Sequence, residues 1–277
     1  MVLQFIYRFS FKMENFIENP ETKKEHSPET PLPSTKKIFS LGFRCSSSAI
    51  LKNLGLKEES FPFDWLISRL SVIRHCIEDN FQQFLNQNNY ERRYSNTYEM
   101  MDSKNGFICD EHLMVNLFYQ PADKMDIENT YQYYLAMNHH NIKEDKDFEY
   151  YSRCVDRFTN TLYDISILKT YIHITPLITT EKYEENQDTI IEECKEFDMF
   201  LYNKTNQTTK GIFFILVKNL EFEHFTQSLI YHSLDTNTKI YLLNTNRHFI
   251  DAGEKFMGNS HYETEFIRDT INAVFSA

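Results

Sequence analysis

The sequence predicts an α/β protein with a mostly parallel sheet flanked by helices on both faces, and three observations carry that prediction. Apolar, β-rich runs at residues 170–175, 211–217 and 239–244 are nearly continuous, which is how strands read when both their faces are covered. The segments between them are long enough for crossover helices, the connection that parallel neighbours require. A first apolar run at residues 37–41 ends at Gly42 and passes at once into a helical pattern, giving a strand, a tight turn and a helix. Such alternation is the pattern of a sheet sandwiched between helices.

The elements follow in order. Residues 1–36 read as a disordered lead-in, because four of the seven prolines (Pro20, Pro28, Pro31, Pro33) fall there among Glu, Lys, Ser and Thr. After the first strand comes a helix over residues 46–54. A second helix is expected over 68–85, where Leu70, Ile73, Ile77, Phe81 and Phe84 recur at steps of three and four. Residues 112–119 alternate as a strand does. A long helix over 145–165 places Phe148, Tyr151, Val155, Phe158, Leu162 and Ile165 on one core-facing stripe. Residues 181–197 supply one crossover helix and 222–231 a weaker one. The last helix opens with the capping box Ser260-His261-Tyr262-Glu263 and buries Phe266, Ile267, Thr270 and Val274. With no internal repeat and no second linker, residues 37–277 are read as a single domain.

Composition removes several chemistries. Six glycines in 277 residues, without G-x-G-x-x-G or G-x-x-x-x-G-K-[ST], leave out the two commonest backbone cradles for nucleotide phosphates, so no cofactor is expected. A formal charge of -11 disfavours a nucleic-acid partner. The five cysteines, Cys45, Cys76, Cys109, Cys154 and Cys194, are an odd set with no C-x-x-C pair, which points to reduced thiols in a cytoplasmic setting. No histidine pair has metal-ligand spacing. No run of about 18 apolar residues exists, and the first twelve residues lack the apolar h-region of a signal peptide, so no membrane association is expected.

The densest candidate site is Ser40-Leu41-Gly42-Phe43-Arg44-Cys45. A cysteine delivered to a helix start at the carboxyl edge of a sheet sits where open α/β folds bind ligands, and helix-start N–H groups favour its thiolate. Arg44 acts in the same direction if it turns inward. The competing reading is a small buried cysteine in a packed turn. In Ser60-Phe61-Pro62-Phe63-Asp64-Trp65, Asp64 lies between aromatic rings and can orient a histidine, hold an arginine or cap a helix. The pair His139-His140 precedes the long helix and offers a base for a Cys-His couple, or a solvated loop. Arg153 and Arg157 share a helix face and can clamp an anion or pair with nearby acids. His173, inside a strand, is a rival base or a satisfied core histidine, and His248 is a weaker candidate.

These residues together resemble the putative papain-like cysteine peptidase family of bacteria and large DNA viruses. The resemblance rests on Ser40 to Cys45, on Ser60-Phe61-Pro62-Phe63-Asp64-Trp65-Leu66, on the helix end Asn80-Phe81, and on His139-His140-Asn141 with Arg153 to Phe158, covering about residues 37–245. It implies that Cys45 is the nucleophile, His140 or else His139 its partner, and Asp64 an orienting group, with a papain-like α+β fold as the alternative architecture. The chain departs from papain itself: C-G-[SA]-C-[WY] is absent, and no glutamine lies between Gln4 and Cys45 to donate to an oxyanion. The expected activity is a thiol hydrolase acting by acyl transfer on a peptide or a small amide or ester, with Ser46 and its neighbours at the oxyanion. The alternative is an α/β ligand-binding or transferase domain in which Arg44, Arg153 and Arg157 hold an anionic or nucleotide-sugar ligand at the sheet edge. A third reading is a catalytically silent interaction module.

Overall fold

The computed structural model describes residues 35–42, 46–96, 110–119, 135–137, 140–175, 178–218, 226–245 and 262–276. In chain order they form β1 (Thr35–Ser40), α1 (Ser46–Asn53), β2 (Leu66–Ser68), α2 (Leu70–Glu78), α3 (Gln82–Leu85), β3 (Tyr90–Asn96), β4 (Asp110–Asn116) and β5 (Leu135–Met137). There follow α4 (Asp145–Tyr163), β6 (Ile167–Ile174), β7 (Ile178–Thr179), α5 (Thr180–Lys204), β8 (Thr209–Lys218), β9 (Thr226–His232), β10 (Lys239–Thr245) and α6 (Tyr262–Ser276).

The main sheet has six strands and runs β1-β6-β8-β10-β9, with β7 paired to β8. All pairings are parallel except β9 with β10, so the expected mostly parallel α/β sheet is present. The two-residue period of a strand sends alternate side chains to opposite faces. Ile38, Ile172, Ile174, Ile212, Phe214 and Leu216 accordingly pack with Ile50 and Leu51 of α1 and Ile267, Ile271 and Val274 of α6. Phe39, Tyr171, Phe213, Ile215 and Val217 face the other way, onto Tyr151, Val155 and Phe158 of α4 and Phe197 and Leu201 of α5. Both faces of the central strands are thus buried, which is why their sequence reads as unbroken apolar runs.

Between β1 and β6 the chain builds a second sheet that the sequence reading lacked, four antiparallel strands in the order β2-β5-β4-β3. Leu66, Tyr90, Met114, Leu135 and Met137 turn one face of it into the main core, while Ile67, Leu113, Val115 and Ala136 form a small cluster of their own.

Three other expectations are corrected. The helix expected over 68–85 is two helices, because Asn80 and Phe81 adopt left-handed backbone angles (φ 52° and 61°) that no α-helix accommodates. Phe81 holds that conformation because its ring is buried among Phe63, Phe84 and Phe158. The weak helix expected over 222–231 is replaced, where it is described, by β9, which forms an antiparallel hairpin with β10. The helix expected over 181–197 is longer and spans Thr180–Lys204. The lead-in up to residue 34 and the capping serine Ser260 lie outside the described residues.

One polar knot ties the hairpin to the sheet. Asp198 of α5 is buried, and its carboxylate accepts from Tyr171 (2.6 Å), Thr236 (2.7 Å) and Thr238 (2.6 Å). Thr238 in turn accepts from the Gly211 amide at 2.8 Å.

Candidate active site

At the carboxyl end of β1 three consecutive residues are fixed by side chains from elsewhere in the fold. Ser40 Oγ donates to Asp64 Oδ1 at 2.8 Å. The Leu41 carbonyl meets His173 Nδ1, while its amide continues the parallel ladder to the Ile172 carbonyl at 2.8 Å. The Gly42 carbonyl accepts from Ser68 Oγ at 3.0 Å. Phe43, Arg44 and Cys45 come next in the chain but lie outside the described residues, as do His139 and His248. Helix α1 begins at Ser46, whose side chain is also outside the described residues. Ser47, in the first turn of α1, is fully buried, and its hydroxyl has no hydrogen-bond partner among the described residues.

Asp64 is carried inward by its neighbours. Phe61 and Phe63 are buried, and their rings pack edge-on against Phe158 at 6.2 and 5.6 Å. A carboxylate drawn into such surroundings must be compensated. Its compensation consists of Ser40, the Phe61 amide at 2.7 Å and an ion pair with Lys57 Nζ. Lys57 also donates to Ser48 Oγ of α1 and lies 5.1 Å over the Trp65 ring. The segment after Asp64 runs into a strand, and the Phe61 amide that Asp64 accepts lies upstream, so the carboxylate is not a helix cap there.

Two histidines are well placed to be compared. His173 is buried beside Phe213, and desolvation pushes its pKa down to about 4, with the Leu41 carbonyl partly offsetting the shift. A carbonyl only accepts, so Nδ1 carries the proton and the ring is neutral near pH 7. His140 is half-buried, stacked on Tyr150 (centroids 4.8 Å, 17°) and edge-on to Tyr151 (5.4 Å). Its Nδ1 lies 3.0 Å from Asp147 Oδ1, and Asp147 Oδ2 accepts from the Asn141 amide at 2.7 Å. Partial burial pushes the Asp147 carboxyl up, but the Asn141 amide and His140 outweigh it and hold the carboxyl below its usual range. The carboxylate on His140 is therefore Asp147, a residue sequence reading did not single out. Asp64 binds a serine, an amide and a lysine. Tyr150, whose hydroxyl interacts with Ser60 and Cys154, bridges from His140 to the loop that carries Asp64.

The two arginines are engaged elsewhere. Arg157 donates to the Ser60 carbonyl and pairs with Glu59 at 3.0 Å, while Arg153 is exposed and pairs with Glu149 at 3.7 Å. Of the cysteines, Cys76, Cys154 and Cys194 are free and buried. Burial raises all three thiol pKa values, that of Cys76 to about 12. Among the described residues no group of three or more His, Cys, Asp or Glu could hold a metal, and no helix is long and apolar enough to cross a membrane.

Comparison with known proteins gives two matches. The family model described as putative papain-like cysteine peptidase (DUF1796) matches residues 36–218, from within β1 to the end of β8. Uncharacterized protein R408 of Acanthamoeba polyphaga mimivirus is 44% identical over 48 residues, which are 17% of this chain and 22% of that protein. No solved structure matches.

Proposed function

Because the chain belongs to the putative papain-like cysteine peptidase family, we propose that it is a thiol hydrolase acting by acyl transfer, with Cys45 as nucleophile and the His140–Asp147 pair as its proton carrier. The observation that carries this reading is the carboxylate on His140 Nδ1 at 3.0 Å. It fixes the ring and its tautomer and leaves Nε2 to take a proton, the arrangement that general-base catalysis requires. His173 supports the reading in another role. Desolvated and neutral, it is a poor proton acceptor near pH 7, and its bond to Leu41 holds the turn that precedes Cys45.

In the proposed reaction the Cys45 thiol gives its proton to His140 Nε2, and the thiolate attacks an amide or ester carbonyl carbon. The new S–C bond forms as the carbonyl opens to an oxyanion, for which the first-turn N–H groups of α1 are the donors at hand. Collapse breaks the bond to the leaving group, which receives the proton from His140. Water then hydrolyses the thioester by the same route.

Iodoacetamide labelling followed by peptide mass mapping tests this. In the folded protein near pH 7, Cys45 is expected to react at least tenfold faster than Cys76 or Cys194, and His140→Gln and Asp147→Asn are each expected to cut that rate about tenfold. Equal rates for Cys45 and the buried cysteines would refute the activated thiolate.

A further inference from the structure

We propose that β9 is the contact surface for a second copy of this chain, the two β9 strands pairing antiparallel across a two-fold axis so that the main sheets join. An edge strand presents a row of unpaired N–H and C=O groups, and folded proteins protect such rows with charges, prolines or very short strands. The other sheet edges are protected in these ways: β1 carries Lys36 and Lys37, β3 carries Glu91, Arg92 and Arg93, and β2 is three residues long and buried. The seven residues of β9, Thr226-Gln227-Ser228-Leu229-Ile230-Tyr231-His232, include no Lys, Arg, Asp, Glu or Pro. Among the described residues β9 pairs on one side only, with β10, and Gln227, Ser228 and Leu229 are exposed in succession. β9 follows the residues that the family model matches, 36–218, and the contact stands apart from the reading of Cys45.

The edge is held ready for pairing. The turn that follows it is tied to α5, because Thr236 and Thr238 both donate to the buried Asp198 carboxylate, so association orders little that is not ordered already. The register against β10 shifts beside Ile230, and Thr226–Leu229 keep regular pairing with Asn244 to Tyr241. Charge selects the occupant. The chain carries a formal charge of -11, so two copies repel on net. β9 is formally neutral, and the cleft that its Tyr231 helps to line balances Arg74, Lys195 and Lys204 against Glu192, Glu196 and Asp198. A two-fold contact brings one patch onto itself, so a charge at its centre would meet the same charge, whereas an uncharged strand flanked by both signs meets no such repulsion. A two-fold through Ser228, the middle of the exposed run, places Gln227 opposite Leu229 and Thr226 opposite Ile230.

The test is sedimentation velocity of the intact chain from about 1 to 100 µM, a range that resolves weak and moderate dimers. The wild type is expected to pass from monomer to dimer, and the β9 amides to gain protection from hydrogen exchange as it does. Ser228→Lys and Ser228→Glu each set like charges opposite one another and are expected to weaken the dimer about fivefold or more. Ser228 is exposed, so both variants are expected to keep the circular dichroism of the wild type. Ser228→Lys also makes the chain less acidic, so its loss of association runs against the net repulsion. An equimolar mixture of the two variants is expected to associate to within about twofold of the wild type, because opposite charges then meet. A wild type that stays monomeric throughout, a dimer that neither substitution weakens, or variants that stay apart when mixed each overturns the pairing.

Discussion

His173 holds a single proton on Nδ1, committed to the Leu41 carbonyl, and burial makes a second proton costly. The consequence for stability has a definite sign. Its folded pKa, about 4, lies below the ordinary 6.5, so between these values the unfolded chain binds a proton that the folded one refuses. Stability from this group is complete above pH 6.5 and is lost as pH falls toward 4, by about 2 kcal/mol at roughly pH 5 and about 3 kcal/mol near pH 4. Urea unfolding of the wild type and of His173→Gln, which keeps a donor for Leu41, checks this: the variant is expected to lose less stability between pH 7 and 5. Parallel slopes would show that other groups dominate. At this scale the strand ending at Ser40 and the helix starting at Ser46 were legible, because a strand, a glycine and a helix start announce themselves locally. Asp147 was not, since an acid in the first turn of a helix reads as a partner for the helix dipole. Lys57 was hidden likewise in the charged stretch Lys57-Glu58-Glu59, and only the fold shows that one of those charges turns inward.

The elements that sequence reading found are those whose pattern agrees with their burial. β8 is buried from Gly211 to Val217 and reads as one apolar run. The elements it missed have physical reasons. β2 and β5 are three residues each, too short to display an alternation. β9 lies at the sheet edge with most of its residues exposed or half-exposed, so its apolar spacing was free to imitate a helix. The break at Asn80 was masked because Phe81 and Phe84 keep helical spacing across it. A test at this scale concerns the close approach of β6 and β8. A Cβ on Gly211 would lie 2.5 Å from the Tyr171 hydroxyl, which is itself committed to Asp198. Gly211→Ala is therefore expected to destabilise by about 2–3 kcal/mol, from overpacking and from a weakened carboxylate bond. Thermal unfolding measures it, and a shift in midpoint under about 1 °C would mean that the ring yields at no cost.

For the whole molecule, the mostly parallel sheet and its helical layers were predictable from the succession of elements, and the antiparallel sheet inserted between β1 and β6 was not. That insertion has a consequence in time. Among the described residues the first strand has one neighbour, β6, and the contact between His173 and Leu41 closes a separation of 132 residues. Pairings so distant in sequence form late. During synthesis at about 5–20 residues per second, the end of β1 waits on the order of ten seconds for the strand that completes it. A ribosome-arrested chain lacking β6 is expected to show Cys45 alkylated with the rate and pH dependence of an unstructured peptide, and a chain extended past β8 to show the native profile. A native profile in the shorter chain would mean that the local loop suffices. On the proposed reading of Cys45 as nucleophile, the nascent polypeptide would thus be born with its thiol unarmed, and the order in which its segments leave the ribosome would act as a clock on when that thiol becomes reactive.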